Sequence, residues 1–220
     1  MKTLNLKLML ASIALVMLAN FAGAQELRDM ALPAPKTEGG KPLMQALKER
    51  QTSRAYDTKK LPLQVLSDLL WAGFGINRPD SGKRTAPSTR NWQEIDIYVV
   101  MEEGTYLYDA KANILKAVAK GDLRKMTGPQ EFVAPAPINL VFVADTSKMK
   151  GASQDDLSLY AGADVGFISQ NIYLFCASEG LATVVRGMIG DKKALAEALK
   201  LPAEKKIILA QTVGYPAPVK

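Results

Sequence analysis

Apolar and polar positions alternate along the chain in a way that marks out one series of short elements. Leu43 to Arg50 predicts a short helix. Pro62 stands where the first turn of a second helix begins, and Val65, Leu66, Leu69 and Leu70 recur on one face of Leu63 to Gly73. Asn77 to Asn91 (NRPDSGKRTAPSTRN) has no periodicity and is dense in turn formers, so it predicts a long loop. Ile95 to Met101 predicts a strand, and Thr105 to Leu115 a hairpin turning near Ala110 to Ala112. Pro137 to Ala144 (PINLVFVA) is an unbroken apolar run of strand length, expected to be buried on both faces. The longest helix is Leu157 to Ser178, apolar at Val165, Ile168, Ile172, Phe175 and Cys176 and on nearly every other side, which places it through the centre of the domain. Leu181 to Arg186 predicts a strand, Asp191 to Leu199 a short helix and Lys206 to Val213 a final strand. The pattern is α+β: a central, mostly antiparallel sheet flanked by helices, with a long central helix and no internal repeat.

The first residues follow a different logic. Lys2 and Lys7 precede an apolar run from Leu8 to Leu18 and a small-residue ending, Ala22-Gly23-Ala24. That order predicts a secretory signal over residues 1–24, cleaved after Ala24, and an exported, periplasmic protein beginning at Gln25. The apolar run falls short of the roughly 20 residues a permanent span needs, so no stable membrane span is expected. No cysteine lies near the cleavage site to carry a lipid. Residues 25–42, including ALPAPKTEGGKP, read as an extended lead-in, and residues 43–220 as one domain. Cleavage removes two lysines and no acid, taking the net charge from +6 to +4. The remaining excess is spread along the chain, which suits a local anion site better than a nucleic-acid surface.

Two absences narrow the chemistry. The sequence has no histidine and a single cysteine, Cys176. Zinc sites of the usual kind, Ser-His-Asp and Cys-His hydrolysis, and an internal disulfide are thereby excluded. What remains is carboxylates, lysines, a hard metal held by oxygens, or a borrowed organic cofactor. Two phosphate-loop lookalikes fail: Gly73-Phe74-Gly75 lacks a third glycine and a preceding strand, and Gly82-Lys83 is followed by Arg84 rather than a hydroxyl residue. Arg50-Gln51-Thr52-Ser53-Arg54 carries two guanidiniums and two hydroxyls within five residues. Such a segment can grip a phosphate through charge-assisted bonds, or can simply be a solvated, salt-bridged helix end. Asp164 reads either as a general acid or base or as a hydrogen-bonded structural carboxylate, and Cys176 and Trp71 read as core. Tyr56, Tyr160 and Tyr173 are equal candidates to donate a proton.

The segment ALKERQTSRAY resembles the opening of the nitroreductases, where R-x-[ST]-x-[RK] precedes an aromatic residue. LLWAGFGINRPDSGKRTAPSTRNWQEIDIYVV resembles one branch of that superfamily, the SagB-type peptide dehydrogenases that oxidise azolines to azoles. The shared features are LLWA-x-x-G, the RTAPS loop, the IYVV strand and the Tyr106-Leu107-Tyr108-Asp109 hairpin. GLATVVRGMIG and the ending VGYPA are also similar to the superfamily, so the resemblance runs from Leu43 to Pro216.

This resemblance implies an FMN-dependent oxidoreductase, a homodimer in which both subunits touch each flavin. By position, Arg50 would meet the phosphate, Thr52 the ribityl or phosphate oxygens, and Arg54 the pyrimidine edge of the ring, where a cation stabilises charge that develops on reduction. Pro87, Ser88, Thr89 and Asn91 would come from the partner subunit, with Trp92 positioned to cover the ring. Arg186 and Gly187 would present backbone amides to flavin N5 and O4, and Lys220 is the cation left for a second phosphate contact after the Gly-Tyr-Pro turn. After Ser88 the chain departs from the azoline branch, with Thr89-Arg90-Asn91-Trp92-Gln93 where substrate would stack. The implied reaction is reduction of FMN by a donor left open, then two-electron reduction of a flat small molecule such as a nitroaromatic or a quinone. The alternatives are a flavin-dependent oxidase or dehydrogenase on a small or peptide substrate, and a flavin-binding module without turnover.

Overall fold

The computed structural model describes residues 26–218. The signal segment, its cleavage site and Lys220 lie outside the described residues. In chain order the elements are β1 (Met30–Ala31), α1 (Leu43–Glu49), α2 (Leu63–Phe74), β2 (Ile76–Arg78), β3 (Lys83–Arg84), β4 (Ile95–Val100), β5 (Gly104–Asp109) and β6 (Ile114–Lys120). They continue with β7 (Ile138–Asp145), α3 (Gln154–Glu179), β8 (Ala182–Arg186), α4 (Lys192–Ala198) and β9 (Lys205–Gly214). A seven-stranded sheet has the order β1-β6-β5-β4-β7-β9-β8, and every neighbouring pair in it is antiparallel.

The apolar runs at β4 and β7 are explained by burial of both sheet faces. Ile95, Ile97 and Val99, with Ile138, Leu140, Phe142 and Ala144, join a large core under α2 and α3. Tyr98, Val100, Val141 and Val143 point the other way, into a smaller core closed by Ile189, Leu195 and Leu199 at α4. Side chains alternate across a strand with period two, so a strand covered on both faces needs apolar residues at every position.

Helix α3 is the long helix expected, starting three residues earlier than the apolar pattern suggests because polar Gln154, Asp155 and Asp156 form its first turn. Ser153 caps it, accepting from the Asp156 N–H while the Asp156 side chain returns to the Ser153 N–H. Gly180, at φ 70°, ends it in the left-handed conformation a glycine enters without strain. Ala161, Val165, Ile168, Ile172 and Cys176 form its buried stripe. Its opposite face is not enclosed within the chain: Leu159 is 64% exposed and Phe167 48%.

Two segments without periodicity are more ordered than their composition indicates. The lead-in adds β1 to the edge of β6, and Pro33 O accepts from Ser67 Oγ at 2.6 Å and Asn113 Nδ2 at 2.8 Å. The loop before β4 contains the β2–β3 ribbon, turned by a 3-10 turn at Pro79–Ser81 and by Gly82 at φ 63°. Arg84 holds the ribbon to α2, donating to Phe74 O at 2.9 Å while its guanidinium stacks 4.5 Å above the Phe74 ring.

Candidate functional site

The Arg50–Arg54 segment begins where α1 ends. Arg50 leaves the helix at ψ 120°, and its N–H still donates to Ala46 O. The chain then runs along β8, with Ser53 N donating to Thr183 O at 3.0 Å. Tyr173 of α3 joins these pieces from beneath. Its hydroxyl accepts from Val185 N at 3.0 Å and lies 3.1 Å from Thr52 Oγ1, while the Arg50 guanidinium sits 5.3 Å above its ring. Of the three tyrosines, Tyr173 therefore acts as a staple between the Arg-rich segment and β8. Tyr56 is likewise engaged, donating to Ser53 O at 2.7 Å, and burial pushes its phenol well above the usual range.

Arg50 is half-buried, and among the described residues no carboxylate pairs with it or with Arg54. It borders a cavity of about 470 Å³, together with Lys41, Lys48, Ser53, Thr183 and Pro216. The one acid there, Glu49, is bonded to Lys41 at 2.6 Å, and that bond, aided by Gln45, holds its carboxyl below the usual range. Three cations against one acid leave the cavity positive, which suits an anion. Lys41 and Lys48 carried no signal in the sequence, because single lysines near a helix end are ordinary surface residues.

At the far end of β8, Arg186 and Gly187 behave differently from each other. The Arg186 side chain is turned into the protein and 94% buried by its 6% exposure. It donates to Thr127 O at 2.7 Å, Asn139 Oδ1 at 3.0 Å and Thr212 Oγ1 at 3.0 Å. Desolvation lowers its pKa to about 10, and no carboxylate compensates among the described residues. The guanidinium is thus a structural tie between β7, β8, β9 and the turn at Thr127, leaving only its backbone for a ligand. Gly187 is exposed, and a Cβ there would make only ordinary contact with Leu209, at 3.7 Å. Nothing among the described residues requires glycine at that point.

The loop carrying Pro87, Ser88, Thr89 and Asn91 is held from α3 at another point. Asp164 Oδ2 accepts from Thr89 N at 2.8 Å and Oδ1 from Thr89 Oγ1 at 3.3 Å, which settles the two readings of Asp164 in favour of the structural carboxylate. Ser88 Oγ accepts from Gln93 N at 3.0 Å, and Gln93 Oε1 accepts from Arg84 Nε at 2.8 Å. Arg90, Asn91 and Gln93 all have positive φ, at 49°, 56° and 49°. Each such residue costs on the order of 1 kcal/mol and persists only where its surroundings hold it. Trp92 is not free to cover a ligand of its own chain: it packs edge-on against Tyr160, with centroids 6.0 Å apart, and joins the core. Trp71 is only half-buried and donates to Ile76 O at 3.2 Å, whereas Cys176 is buried, and burial raises its thiol far above the usual range. Glu94, which the sequence reading passed over, is 0% exposed and faces Asp164. A glutamate next to an apolar strand carries no sequence signal of burial.

Asp164 and Tyr173, the anchors of the two halves, are nine residues apart on α3, or about 13 Å along its axis. Arg50 lines the cavity and Thr52 meets Tyr173 beside it, whereas Arg54 is exposed and does not line the cavity. Arg186 and Gly187 lie at the far end of β8, and the Pro87–Asn91 loop is held separately at Asp164.

The nitroreductase family profile matches residues 47–215. A protein of Methanocaldococcus jannaschii assigned to the nitroreductases is 31% identical over 169 residues, covering 72% of this chain and 84% of its own. A crystal structure from Ralstonia eutropha JMP134, described as a nitroreductase, superposes with a TM-score of 0.83 at 41% identity, covering 90% of this chain and 93% of that one. A Desulfovibrio desulfuricans nitroreductase solved in complex with FMN shares the fold at a TM-score of 0.58 and 23% identity, over 83% of this chain and 89% of that one. With fold, extent of match and identity in agreement, the chain belongs to the nitroreductase family of oxidoreductases.

Proposed function

We propose that the protein is an exported, FMN-dependent oxidoreductase that passes two electrons to a flat electrophile such as a nitroaromatic or a quinone. The observation that carries this reading is Arg50: a half-buried guanidinium without a carboxylate partner among the described residues, lining a positive cavity and tied through Tyr173 to the end of β8. The residues fit the phosphate of FMN, because a dianion would supply the counter-charge that Glu49, bound to Lys41, does not supply to Arg50 and Lys48. Arg50 would hold the phosphate, Thr52 the ribityl or phosphate oxygens and Arg54 the pyrimidine edge, with the Arg186 and Gly187 backbone beside the ring. The bare, exposed surface at Gly187 allows a flat ring to approach the main chain.

When bound, FMN supplies reversible two-electron chemistry that no side chain of this protein has. The chain's own part is to bind, orient and bias. A cation at Arg54 would favour the reduced form, and a strained, prefixed loop would limit what can stack on the ring.

The Pro87–Asn91 loop would serve the flavin of a partner subunit, since its anchor lies about 13 Å along α3 from that of the Arg50 segment. Support for a homodimer comes from unburied apolar residues on two helices: Leu159 and Phe167 on α3, and Met44, 75% exposed, on α1. Export rests on the Lys-rich start, the apolar run and Ala22-Gly23-Ala24. No helix among the described residues is long and apolar enough to cross a membrane.

The test is anaerobic reduction of the purified protein, followed by flavin absorbance. The expected result is a yellow protein that bleaches with a reductant and regains colour when a quinone or nitroaromatic is added. A protein that stays colourless after FMN is supplied overturns the cofactor assignment, and one that bleaches but never re-oxidises with any acceptor overturns turnover.

A further inference from the structure

Two carboxyl groups lie buried together beneath the loop that carries Pro87 and Ser88, and only one has its hydrogen bonds met within the chain. Glu94 and Asp164 are both 0% exposed. Asp164 accepts from the backbone and the hydroxyl of Thr89 at 2.8 and 3.3 Å. Neither oxygen of Glu94 meets a donor from another of the described residues, and its carboxyl faces Asp164. Two ionised carboxylates in a dry site repel each other, and a buried charge is kept only when it is paired. One proton resolves both problems. A neutral Glu94 donates its O–H to the Asp164 carboxylate, which then has donors from Glu94 and from Thr89.

We propose that Glu94 and Asp164 share this single proton and, through Thr89, position the Pro87–Gln93 loop. The functional part of the inference rests on reading that loop as the platform for the partner's flavin. Glu94 and Asp164 are positioning residues, not catalytic ones. The loop requires such a hold, because Arg90, Asn91 and Gln93 all sit at positive φ. Thr89, the residue Asp164 grips, immediately precedes the first of them.

The charged groups facing Glu94 are Asp164 from α3 and Lys148 from the turn after β7. Burial, followed by the charge of Asp164, pushes the Glu94 carboxyl up to about 7. The Glu94 backbone N–H, and after it Lys148, pull the other way, and the Lys148 ammonium is shared with Gln93 O at 3.3 Å and Asp96 at 3.7 Å. The folded, loop-closed state thus holds the Glu94 proton more tightly than the open chain does, where the ordinary value is 4.5. The stabilisation is full below about 4.5, is lost as pH rises toward about 7, and is absent above it.

The test compares the wild type with Glu94→Gln, whose amide N–H donates to Asp164 at every pH. Thermal midpoint, FMN affinity and the infrared band of a protonated carboxyl are followed from about pH 4.5 to about pH 8. FMN's own phosphate titrates in this range, so affinity is read as the difference between the two proteins. Relative to Glu94→Gln, the wild type should lose thermal midpoint between about 4.5 and 7 and then level off, whereas its FMN affinity should fall about tenfold as pH rises through about 7 to about 8, where Glu94 of the folded protein ionises. The protonated-carboxyl band should fade over the rise through about 7 in the wild type and be missing from the variant. Parallel pH profiles for the two proteins overturn the proposal. So does the lack of that band in acidic wild type, a measurement that needs no variant to fold. A wild type that binds no FMN at any pH, yet keeps the band and the thermal difference, supports the shared proton and removes only the flavin reading.

Discussion

Two arginines of the same sequence-derived set have opposite uses. Arg186 spends its hydrogen-bonding capacity on Thr127, Asn139 and Thr212, and its side chain has nothing left for a ligand. Arg50 meets no carboxylate among the described residues and lies over the face of Tyr173, so its charge remains available. We expect Arg50→Ala to purify largely colourless, with a loss of about 2 to 5 kcal/mol in FMN binding, the usual cost of deleting a buried charge-assisted contact. Flavin content after gel filtration, followed by titration with FMN, measures this. Retention of stoichiometric FMN at wild-type affinity would falsify the role assigned to Arg50.

At the scale of elements, β8 links the core to the site. It lies at the sheet edge, paired only with β9, and ends at Arg186, next to exposed Gly187. An edge strand has ladder hydrogen bonds on one side only, and here Tyr173, accepting from Val185 N, and Ser53, whose N–H donates to Thr183 O, supply part of what the missing neighbour would. The Arg186 guanidinium lies so close to Gly128 that a Cβ there would collide with it. Replacing Arg186 by Met keeps much of the length but removes the donor to Thr127 O and Thr212 Oγ1 and leaves Asn139 Oδ1 with Thr212 Oγ1 alone. The expected cost is about 3 kcal/mol or more in denaturant unfolding, beyond that of an ordinary surface substitution. FMN affinity should fall with it, because Gly187 loses its fixed position. An unfolding midpoint equal to the wild type would show that the guanidinium is solvated rather than committed.

The whole molecule is where the halves of the proposed site meet. If one subunit supplies Arg50 and Arg54 and the other supplies Pro87 and Ser88, a heterodimer of Arg50→Ala with a chain disrupted at Pro87-Ser88 has one site with both defects and one with neither. It should recover about half the wild-type flavin, whereas each mutant homodimer is nearly empty, as a two-fold interface requires. No recovery would mean that both lesions act within one chain's site. A stable monomer holding FMN would remove the shared-site idea altogether. Export makes a separate prediction at this scale: protein from the native compartment should begin at Gln25, and an intact Met1 form in the cytoplasm would overturn it. Mass spectrometry of the isolated protein decides between them.

The sequence by itself determined the element series of the core, because apolar periodicity reports burial directly. The two-faced runs at β4 and β7, the amphipathic α2 and the long α3 could all be read from local pattern. The Arg50–Arg54 segment was legible for a similar reason, being short and contiguous. Tertiary structure decided what depends on residues far apart in the chain. The edge strand β1 exists only because β6 offers it partners, eighty or more residues away, and the lead-in has no periodicity of its own. Whether Arg186 faces a ligand or the interior is set by Asn139 and Thr212, and Asn139 lies inside a run whose pattern says only that it is buried. Glu94 and Asp164, seventy positions apart, become one proton-holding unit only when β4 packs against α3. Local sequence encodes which surfaces must leave water; the pairing of polar groups inside is fixed only when the chain closes on itself.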